Sequence, residues 1–382
     1  MKKITLLGPA YPYRGGIATI IERLAREFAK RGAEVDILTF SVQYPAWLFP
    51  GRSQFRDGPP PEGLRIERRV NTANPLNWLR VGLRIRREAP DMVVLKYWTS
   101  FMAPCFGTIA RVAKWGGRRT KFLVQLDNVV PHERRWFDTL LTRYFVRSMD
   151  GFIYMSETVG CELAEFDGAK PRLYSPHPIF DHFGERLPRG EAAARLGLDP
   201  GAEYLLFFGL VREYKGLDML LEAWTDMRQR GTTAGRKLLV AGEFYDDVEK
   251  YRAQISRLGL NSDVIIHDRF VPDSEIAPYF SLADLLVLPY RSASQSGVTQ
   301  IALHFEVPMV VTNVGGLPEI VRDGVTGHVC NPTPESIADA IERFYAANGA
   351  DTLRPNFAEE KKRFSWTAAA DALERLYDMT LK

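Results

Sequence analysis

The amino-acid sequence predicts an α/β protein built from two parallel sheets, each covered by helices. Short apolar runs typical of buried strands recur along the chain, and stretches with helical periodicity separate them. This alternation begins again in the second half of the chain. A length of 382 residues suits two domains with a core each.

The first half opens as a βαβ unit. Residues 4–7 predict a strand, residues 17–31 a helix and residues 35–38 the next strand, and the first turn carries Gly15 and Gly16. That turn lacks the GxGxxG spacing of dinucleotide-binding proteins, so a bound NAD is not supported. Later strands are predicted at 92–95, 122–124 and 151–155, later helices at 76–87 and 134–147, and an irregular loop at 43–62.

The pattern restarts after residues 171–189, where prolines and glycines accumulate and which we interpret as an interdomain linker. Two successive halves of this type make a cleft between the domains the expected ligand site. Strands are predicted at 204–208, 237–240, 264–267, 285–289 and 309–312, and helices at 217–228, 273–282 and 298–306.

Composition excludes several classes of protein. The hydrophobic and charged fractions, 46% and 25%, are those of an ordinary globular chain, and a net charge of +3 is too small to imply nucleic-acid binding. Cys105, Cys161 and Cys330 are far apart and form no CxxC pair or zinc spacing, which indicates free thiols in a reducing compartment. No apolar run approaches the ~20 residues of a membrane span. We therefore expect a cytoplasmic protein.

Basic and aromatic residues concentrate between positions 76 and 121. The helix predicted at 76–87 carries four arginines, and further basic residues surround Trp115. They predict either a surface for anionic lipid or a phosphate-bearing acceptor, or an ordinary solvated helix face. On the first interpretation the protein would contact the inner face of a membrane peripherally.

A helix N-terminus follows a buried strand within residues 284–319. The backbone of Ser296, Gly297 and Val298 begins that helix, and unpaired N–H groups with the helix dipole make such a place an anion site. The glycine would let a ligand approach the backbone closely. The alternative is an ordinary helix start with Ser294 or Ser296 as its N-cap.

Several segments of the second half resemble the retaining GT-B glycosyltransferases of family 4, and PYRGGIA (12–18) is similar to the glycine-rich loop of their acceptor domain. The resemblance implies two Rossmann-like domains facing a central cleft. Residues 1–180 would hold the acceptor, residues 181–365 would bind the donor, and a last helix within 366–382 would cross back to the first domain. The segments are FFGLVREYKGLDMLLEAW (207–224), LLVAGE (238–243), the stretch 284–329 and FSW (364–366).

The same resemblance implies an activity. A sugar would pass from a nucleotide-sugar donor, UDP- or GDP-linked, to a saccharide or lipid-linked acceptor during assembly of a surface polysaccharide or a lipid-linked oligosaccharide. No DxD stands in a loop suited to Mg²⁺, so no metal and no cofactor are expected. Alternatives that stay open are a sugar-nucleotide epimerase on the same fold and a non-catalytic nucleotide-sugar binder.

The resemblance also implies roles for individual residues in donor binding. A guanidinium and an ammonium suit a diphosphate leaving group that gains charge. The family's loop places them at Arg212 and Lys215. The backbone of Ser296, Gly297 and Val298 would hold the diphosphate, and Glu243 with Arg269, Phe270 and Val271 would contact ribose and base.

Two features depart from the family pattern. The E-x7-E pair has no acidic counterpart, since Ser292 and Gln300 occupy its positions, or Ala302 the second one if the register is anchored on Gly297. Gln300 could still bind a ribose diol through its amide. Asp127 or Asn128, with His132 nearby, stands where the family presents a histidine. One of them would contact the donor sugar or position the acceptor, unless they have a core or helix-capping role.

Overall fold

The computed structural model describes residues 2–45, 54–56, 58–117, 119–129, 136–293 and 295–382. Within them the chain divides into two compact units. The first comprises Met1–Pro178 with Ser365–Lys382, and the second comprises Ile179–Phe364. Each unit has one parallel sheet with helices on it, so the predicted α/β fold with two parallel sheets is confirmed.

The sheet of the first unit has seven strands, and every neighbouring pair is parallel. The strands are β1 (Lys3–Leu7), β2 (Glu34–Val42), β3 (Arg65–Asn71), β4 (Met92–Tyr97), β5 (Lys121–Leu126), β6 (Gly151–Tyr154) and β7 (Arg172–Tyr174). Their order is β3-β2-β1-β4-β5-β6-β7, so the strand order reverses between β1 and β4. The helices before the chain enters the second unit are α1 (Gly16–Lys30), α2 (Pro75–Glu88), α3 (Ala103–Lys114), α4 (Asp138–Ser148) and α5 (Glu157–Ala164).

Burial explains why the central strands were predictable. Strands β4 and β5 carry continuous apolar runs because helices cover both faces of a parallel sheet. On one face Leu95, Phe106 and Phe145 belong to a single core beneath α2, α3 and α4. Residues that alternate with these in the strands face the opposite side of the sheet.

Three elements of the first unit were not predicted, and one prediction was wrong. Strand β3, with the sequence RIERRVN, and the helices α3 and α5 were assigned no structure from the sequence. Residues 172–174 were placed in the linker but form β7, which pairs with β6 from Phe152↔Arg172 to Tyr154↔Tyr174. The prolines and glycines around these residues favoured a linker, so the pairing with β6 was not predicted.

The sheet of the second unit has six parallel strands. They are β8 (Glu203–Phe208), β9 (Arg236–Ala241), β10 (Val264–His267), β11 (Leu285–Leu288), β12 (Met309–Thr312) and β13 (Gly327–Cys330). The order is β10-β9-β8-β11-β12-β13, which reverses between β8 and β11. The helices are α6 (Arg189–Leu196), α7 (Leu217–Gln229), α8 (Val248–Arg257), α9 (Ile276–Leu282), α10 (Gly297–Phe305), α11 (Leu317–Ile320), α12 (Pro334–Ala346), α13 (Gly349–Leu353) and α14 (Phe357–Arg363).

The last helix, α15 (Trp366–Met379), belongs to the first unit and packs against α1, β5 and β6. Arg31 at the end of α1 contacts its carboxylates, with Nη1 2.6 Å from Asp371 and 3.0 Å from Glu374. A Cβ placed on Gly151 would lie 3.0 Å from Leu376 Cδ1, so the helix lies directly against the start of β6. The final residues of the chain therefore complete the cover of the first sheet.

Candidate functional site

Two loops of the second unit meet where its strand order reverses. One loop, Gly209–Gly216, follows β8, and the other, residues 289–296, follows β11. Gly216 has φ 70°, and a Cβ there would lie 2.0 Å from the Pro289 carbonyl oxygen. The Arg291 N–H donates to the Tyr214 carbonyl at 2.7 Å. The loops are thus packed backbone to backbone at the carboxyl edge of the sheet, where open α/β sheets bind their ligands.

Lys215 is a buried cation at this junction, with only 8% of its surface exposed. Its ammonium lies 5.4 Å from the centroid of the Tyr290 ring, and a Cβ on Gly209 would lie 3.3 Å from Nζ. Within the described residues the ammonium has no carboxylate and no hydrogen-bond acceptor. Burial, and secondarily the charge of Arg212, lowers the pKa of Lys215 to about 8. A bound anion would remove the cost of this unpaired charge.

Arg212 and Glu243 lie on adjoining loops beside Lys215. The Val211 N–H donates to the Glu243 carbonyl at 2.9 Å, which ties the loop after β8 to the loop after β9. Arg212 is exposed, and its guanidinium carbon lies 4.8 Å from the centroid of the Tyr245 ring. The Glu243 side chain is exposed as well. Both side chains are therefore accessible to a ligand at the same edge.

The N-terminus of α10 adjoins the same place. Val298 Cγ2 would lie 3.5 Å from a Cβ on Gly209, so Gly209 lies between α10 and Lys215. Ser296 is the N-cap, since its Oγ accepts from the Val298 N–H at 3.3 Å. Ser294, the other predicted cap, lies outside the described residues.

Two further α10 residues differ in what surrounds them. A Cβ on Gly297 would lie 3.2 Å from the Phe180 ring, so the glycine also accommodates that ring. Gln300 is buried, and its Oε1 has no hydrogen-bond partner among the residues the structure describes. An unpartnered buried amide oxygen at this helix start is available to a ligand hydroxyl.

Three of the four residues predicted to contact ribose and base, Arg269, Phe270 and Val271, follow β10, beside β9. Gly242 donates its N–H to the His267 carbonyl at 3.1 Å, which holds the two loops together. Phe270 is 58% exposed, whereas Val271 is buried. The Arg269 guanidinium bonds the Glu275 carboxylate, so a ligand contact would compete with that ion pair. Phe270 is the residue of this group with a ring free to stack on a base.

The first unit carries a second polar cluster at the carboxyl edge of its sheet. Lys96, at the end of β4, is 1% exposed, and its Nζ lies 2.7 Å from Asp127 Oδ1 and 3.5 Å from Met155 Sδ. Asp127 follows β5, the neighbouring strand. Asp127 was predicted as a site residue, whereas Lys96 was not, although a lysine closing the apolar run MVVL was a signal that could have revealed it.

Other residues of the first unit surround this cluster. His177 was missed from the sequence; its Nδ1–H donates to the Pro178 carbonyl at 2.9 Å. Partial burial and the charge of Lys96 lower the pKa of His177 to about 4, so its ring is neutral at pH 7. Asn128 is partly buried. His132 lies outside the described residues.

The glycine-rich loop of the first unit precedes α1, after β1 and beside β4. Gly15 is the N-cap position with φ 107°, and Gly16 is the first helical residue. Among the residues that the structure describes, no side chain caps this helix, and both glycines are exposed. The unpaired N–H groups of the first turn therefore face the same edge as Lys96 and Asp127.

Two family models match the chain and cover both units. Residues 15–178 match the glycosyl transferase 4-like domain. Residues 202–347 match the glycosyl transferases group 1. The matches include the loop with Gly15 and Gly16 and the loops with Arg212, Lys215 and Gly297.

Curated relatives share this family over most of the chain. A D-inositol 3-phosphate glycosyltransferase of Actinosynnema mirum is 28% identical over 95% of this chain and 92% of the relative. One of the same name from Segniliparus rotundus is 30% identical over 62% of this chain, which spans 54% of that relative. All of these matches are to proteins named as glycosyltransferases.

Solved structures share the fold. The Anabaena protein HepE in complex with UDP-glucose superposes with a TM-score of 0.73 at 16% identity, covering 98% of this chain and 99% of that one. The sucrose-phosphate synthase of Thermosynechococcus elongatus gives 0.72 at 18% identity, covering 99% and 98%. The architecture described above is thus that of GT-B enzymes. Taken with the two family matches, it shows that the chain belongs to the glycosyl transferases of group 1, in family 4, and is a glycosyltransferase of the GT-B fold.

Proposed function

We propose that the enzyme transfers a sugar from a UDP- or GDP-linked donor, with retention of configuration, to a saccharide or lipid-linked acceptor. The observation that carries the proposal is Lys215, a buried ammonium without an acid partner in the described part of the chain. The backbone of Gly209 lies between this ammonium and the start of α10. Such a site selects an anion, and a diphosphate supplies one that gains charge as the sugar departs.

The donor would be held by residues from four loops at one sheet edge. The Lys215 ammonium would bind the diphosphate as a point charge, and the planar Arg212 guanidinium would bind it through paired N–H donors. The α10 backbone at Ser296, Gly297 and Val298 would add N–H donors, that of Val298 in exchange for its hydrogen bond to Ser296 Oγ. Glu243, Gln300 and Phe270 supply a carboxylate, an amide oxygen and an exposed ring for the ribose and base. Front-side transfer with retention needs no enzyme nucleophile, so we assign no covalent residue to the transfer.

The acceptor side would rest on the first unit. The relatives named above act on an inositol phosphate, which carries a dianionic group. In this chain the Lys96 ammonium is already neutralised by Asp127 at 2.7 Å. A neutralised pair suits hydroxyl groups better than a phosphate. We therefore propose that Asp127 and Asn128 position a hydroxyl of the acceptor or of the donor sugar, with Gly15 and Gly16 lining the same edge.

A ligand panel followed by product analysis tests the function. We expect one nucleoside diphosphate among UDP, GDP and ADP to raise the melting temperature, since ligand at ~100 times its Kd stabilises the fold by about 2.7 kcal/mol. With the matching sugar donor and a saccharide acceptor, NMR of the product should show the donor's anomeric configuration. An inverted product would refute retention. A shift with NAD alone, or with none of these ligands, would refute the phosphate site.

Two results would support the other activities instead. A changed sugar nucleotide formed without any acceptor would indicate an epimerase. Tight donor binding without release of nucleoside diphosphate, across all acceptors tried, would indicate a binding protein.

Nucleotide affinity should depend on pH through Lys215. Its pKa is about 8 in the free protein, and a bound diphosphate raises it, so binding takes up a proton. Below pH 7 the Lys215 ammonium is already charged, so its contribution to affinity no longer changes with pH. Above pH 8 affinity should fall by up to about tenfold per pH unit. Calorimetry at pH 8 in buffers of different ionisation enthalpy should show uptake of about half a proton. That uptake should vanish in Lys215→Met; uptake that persists there would assign the proton to another group.

A further inference from the structure

Helices α2, α3 and α4 lie side by side over one face of the first sheet. Their outward side, with Trp115 after α3 and Trp136 before α4, is called the α2–α4 face below. Six of the twelve large apolar side chains exposed in the described part of the chain lie on it. They are Leu76, Leu79, Leu83, Trp115, Trp136 and Leu140, with Trp136 88% exposed and Trp115 71% exposed.

The spacing of these residues makes continuous apolar stripes. Leu76, Leu79 and Leu83 are three and four positions apart, so they lie along one side of α2. Trp136 and Leu140 are likewise four positions apart. Single exposed leucines are ordinary on a protein surface, but a row of them beside two tryptophans marks contact with an apolar partner.

The charges on the α2–α4 face are almost all positive. The three helices contain eight arginine or lysine residues and two acids, against a net charge of +3 for the whole chain. Both acids have hydrogen-bond partners. The Glu88 carboxylate accepts a hydrogen bond from the Arg84 guanidinium at 2.7 Å, and the buried Asp138 carboxylate accepts one from the Ser100 hydroxyl at 2.5 Å. Four of the arginines are exposed and form no ion pair with any described residue: Arg80, Arg87, Arg143 and Arg147.

We propose that the α2–α4 face docks on an anionic lipid bilayer. Tryptophan rings and leucines would enter the interfacial region, while the arginines reach the lipid phosphates beside them. A second copy of the chain is a poor occupant, because two such faces would oppose like charges. Among the described helices none has the length and apolar character to cross a membrane. The docking is a property of this surface and does not depend on the donor or acceptor.

Vesicle sedimentation with the full chain tests the proposal. Binding is expected to vesicles containing phosphatidylglycerol and not to phosphatidylcholine alone, and to weaken as salt is added. Replacing Arg80→Gln with Arg143→Gln should weaken binding about 25-fold, since each basic residue near an anionic surface contributes about fivefold. The matched control is Lys30→Gln with Arg375→Gln. It removes two exposed charges from α1 and α15, which do not belong to the α2–α4 face, and should leave binding nearly unchanged.

A separate variant tests how much the apolar side chains contribute to vesicle binding. Leu79→Ser with Leu83→Ser should reduce vesicle binding at least tenfold, and the melting temperature should stay near that of the parent because both side chains are already exposed. Equal binding to neutral vesicles, no binding to anionic ones, or the same loss in the control pair would overturn the proposal. So would a dimer in light scattering that these leucine substitutions dissociate. Nucleotide affinity, measured on the same samples, should not change.

Discussion

Replacing Lys215 with methionine and Arg212 with glutamine should lower nucleoside-diphosphate affinity by about 100- to 10,000-fold. Hydrogen bonds to charged groups contribute about 1.5–3 kcal/mol each, and both cationic side chains that we propose as partners of the diphosphate are removed. Isothermal titration with the nucleotide identified by the panel measures the loss. Lys237→Met is the control, because this lysine stands at the start of β9 and its ammonium bonds the Ser262 carbonyl. Its affinity should match the parent.

Stability should change in the opposite direction. Lys215 is charged at pH 7 in a site that lowers its pKa from 10.5 to about 8. That difference in pKa corresponds to a destabilisation of the folded state by about 3 kcal/mol. The destabilisation is fully present below pH 8 and disappears as the pH rises from 8 to 10.5. Lys215→Met should therefore raise the free energy of unfolding of the ligand-free protein at pH 7. A variant that binds nucleotide normally, or that loses stability, would show that Lys215 has a structural role.

Breaking the Lys96–Asp127 pair should have the second-largest effect. Asp127→Ala leaves the buried Lys96 ammonium without its carboxylate, which costs about 3–5 kcal/mol for fully buried pairs. Asp127 is 22% exposed, so water moderates the loss, and we expect about 2–3 kcal/mol in a urea titration. Lys96→Met combined with Asp127→Leu should recover most of it. Turnover should be lost in the single and the double variant, while nucleotide affinity stays normal because the residues proposed to bind the diphosphate belong to the second unit.

A more exposed ion pair in the same unit provides the comparison. Lys170 lies 3.3 Å from Asp167, and both side chains are partly exposed. Lys170→Met should cost less than about 1 kcal/mol and leave turnover unchanged. Full activity in the stable double variant Lys96→Met with Asp127→Leu would limit the pair to a structural role. Asn128→Ala, which leaves the ion pair intact, should lower turnover without lowering stability.

Local patterns in the sequence were sufficient for most of the fold. The runs at 285–288 and 309–312 are entirely buried strands, and their apolar continuity is the direct result of helices on both faces. Arg212 and Lys215 were assigned through the resemblance to family 4. They lie in one short loop of the chain, from Gly209 to Gly216.

Strand β3 and helix α3 were missed because they depend on contacts distant in sequence. Strand β3 is an edge strand with exposed charged residues, so it lacks the apolar signal of the others. Helix α3 contains Pro104 and Gly107, which suggest a break. The proline stands in the first turn, where it is tolerated, and the glycine packs against the Tyr144 ring. Each residue needed its tertiary partner before its role was visible.

The Lys96–Asp127 pair could not be found from sequence for a related reason. The two residues end strands that are neighbours only because the sheet has the order β1-β4-β5. The spacing of Lys96 and Asp127 in the sequence does not indicate this order of strands. The loops proposed to bind the nucleotide, by contrast, were assigned through a family resemblance carried by residues that stand close together in the chain.

The course of the chain through the two units has a consequence for synthesis on the ribosome. All seven strands of the first sheet are complete once Tyr174 has emerged, but α15, which covers β5 and β6, begins only at Trp366. Until then the face of β5 and β6 that α15 covers stays exposed in the nascent chain. The intervening unit folds meanwhile, and its ends meet, since the Ile179 N–H donates to the Phe364 carbonyl at 2.8 Å. Once the two ends of the second unit are close together, the effective loop between the first unit and α15 is short. Folding of the second unit therefore lowers the entropy cost of docking α15 on the first sheet.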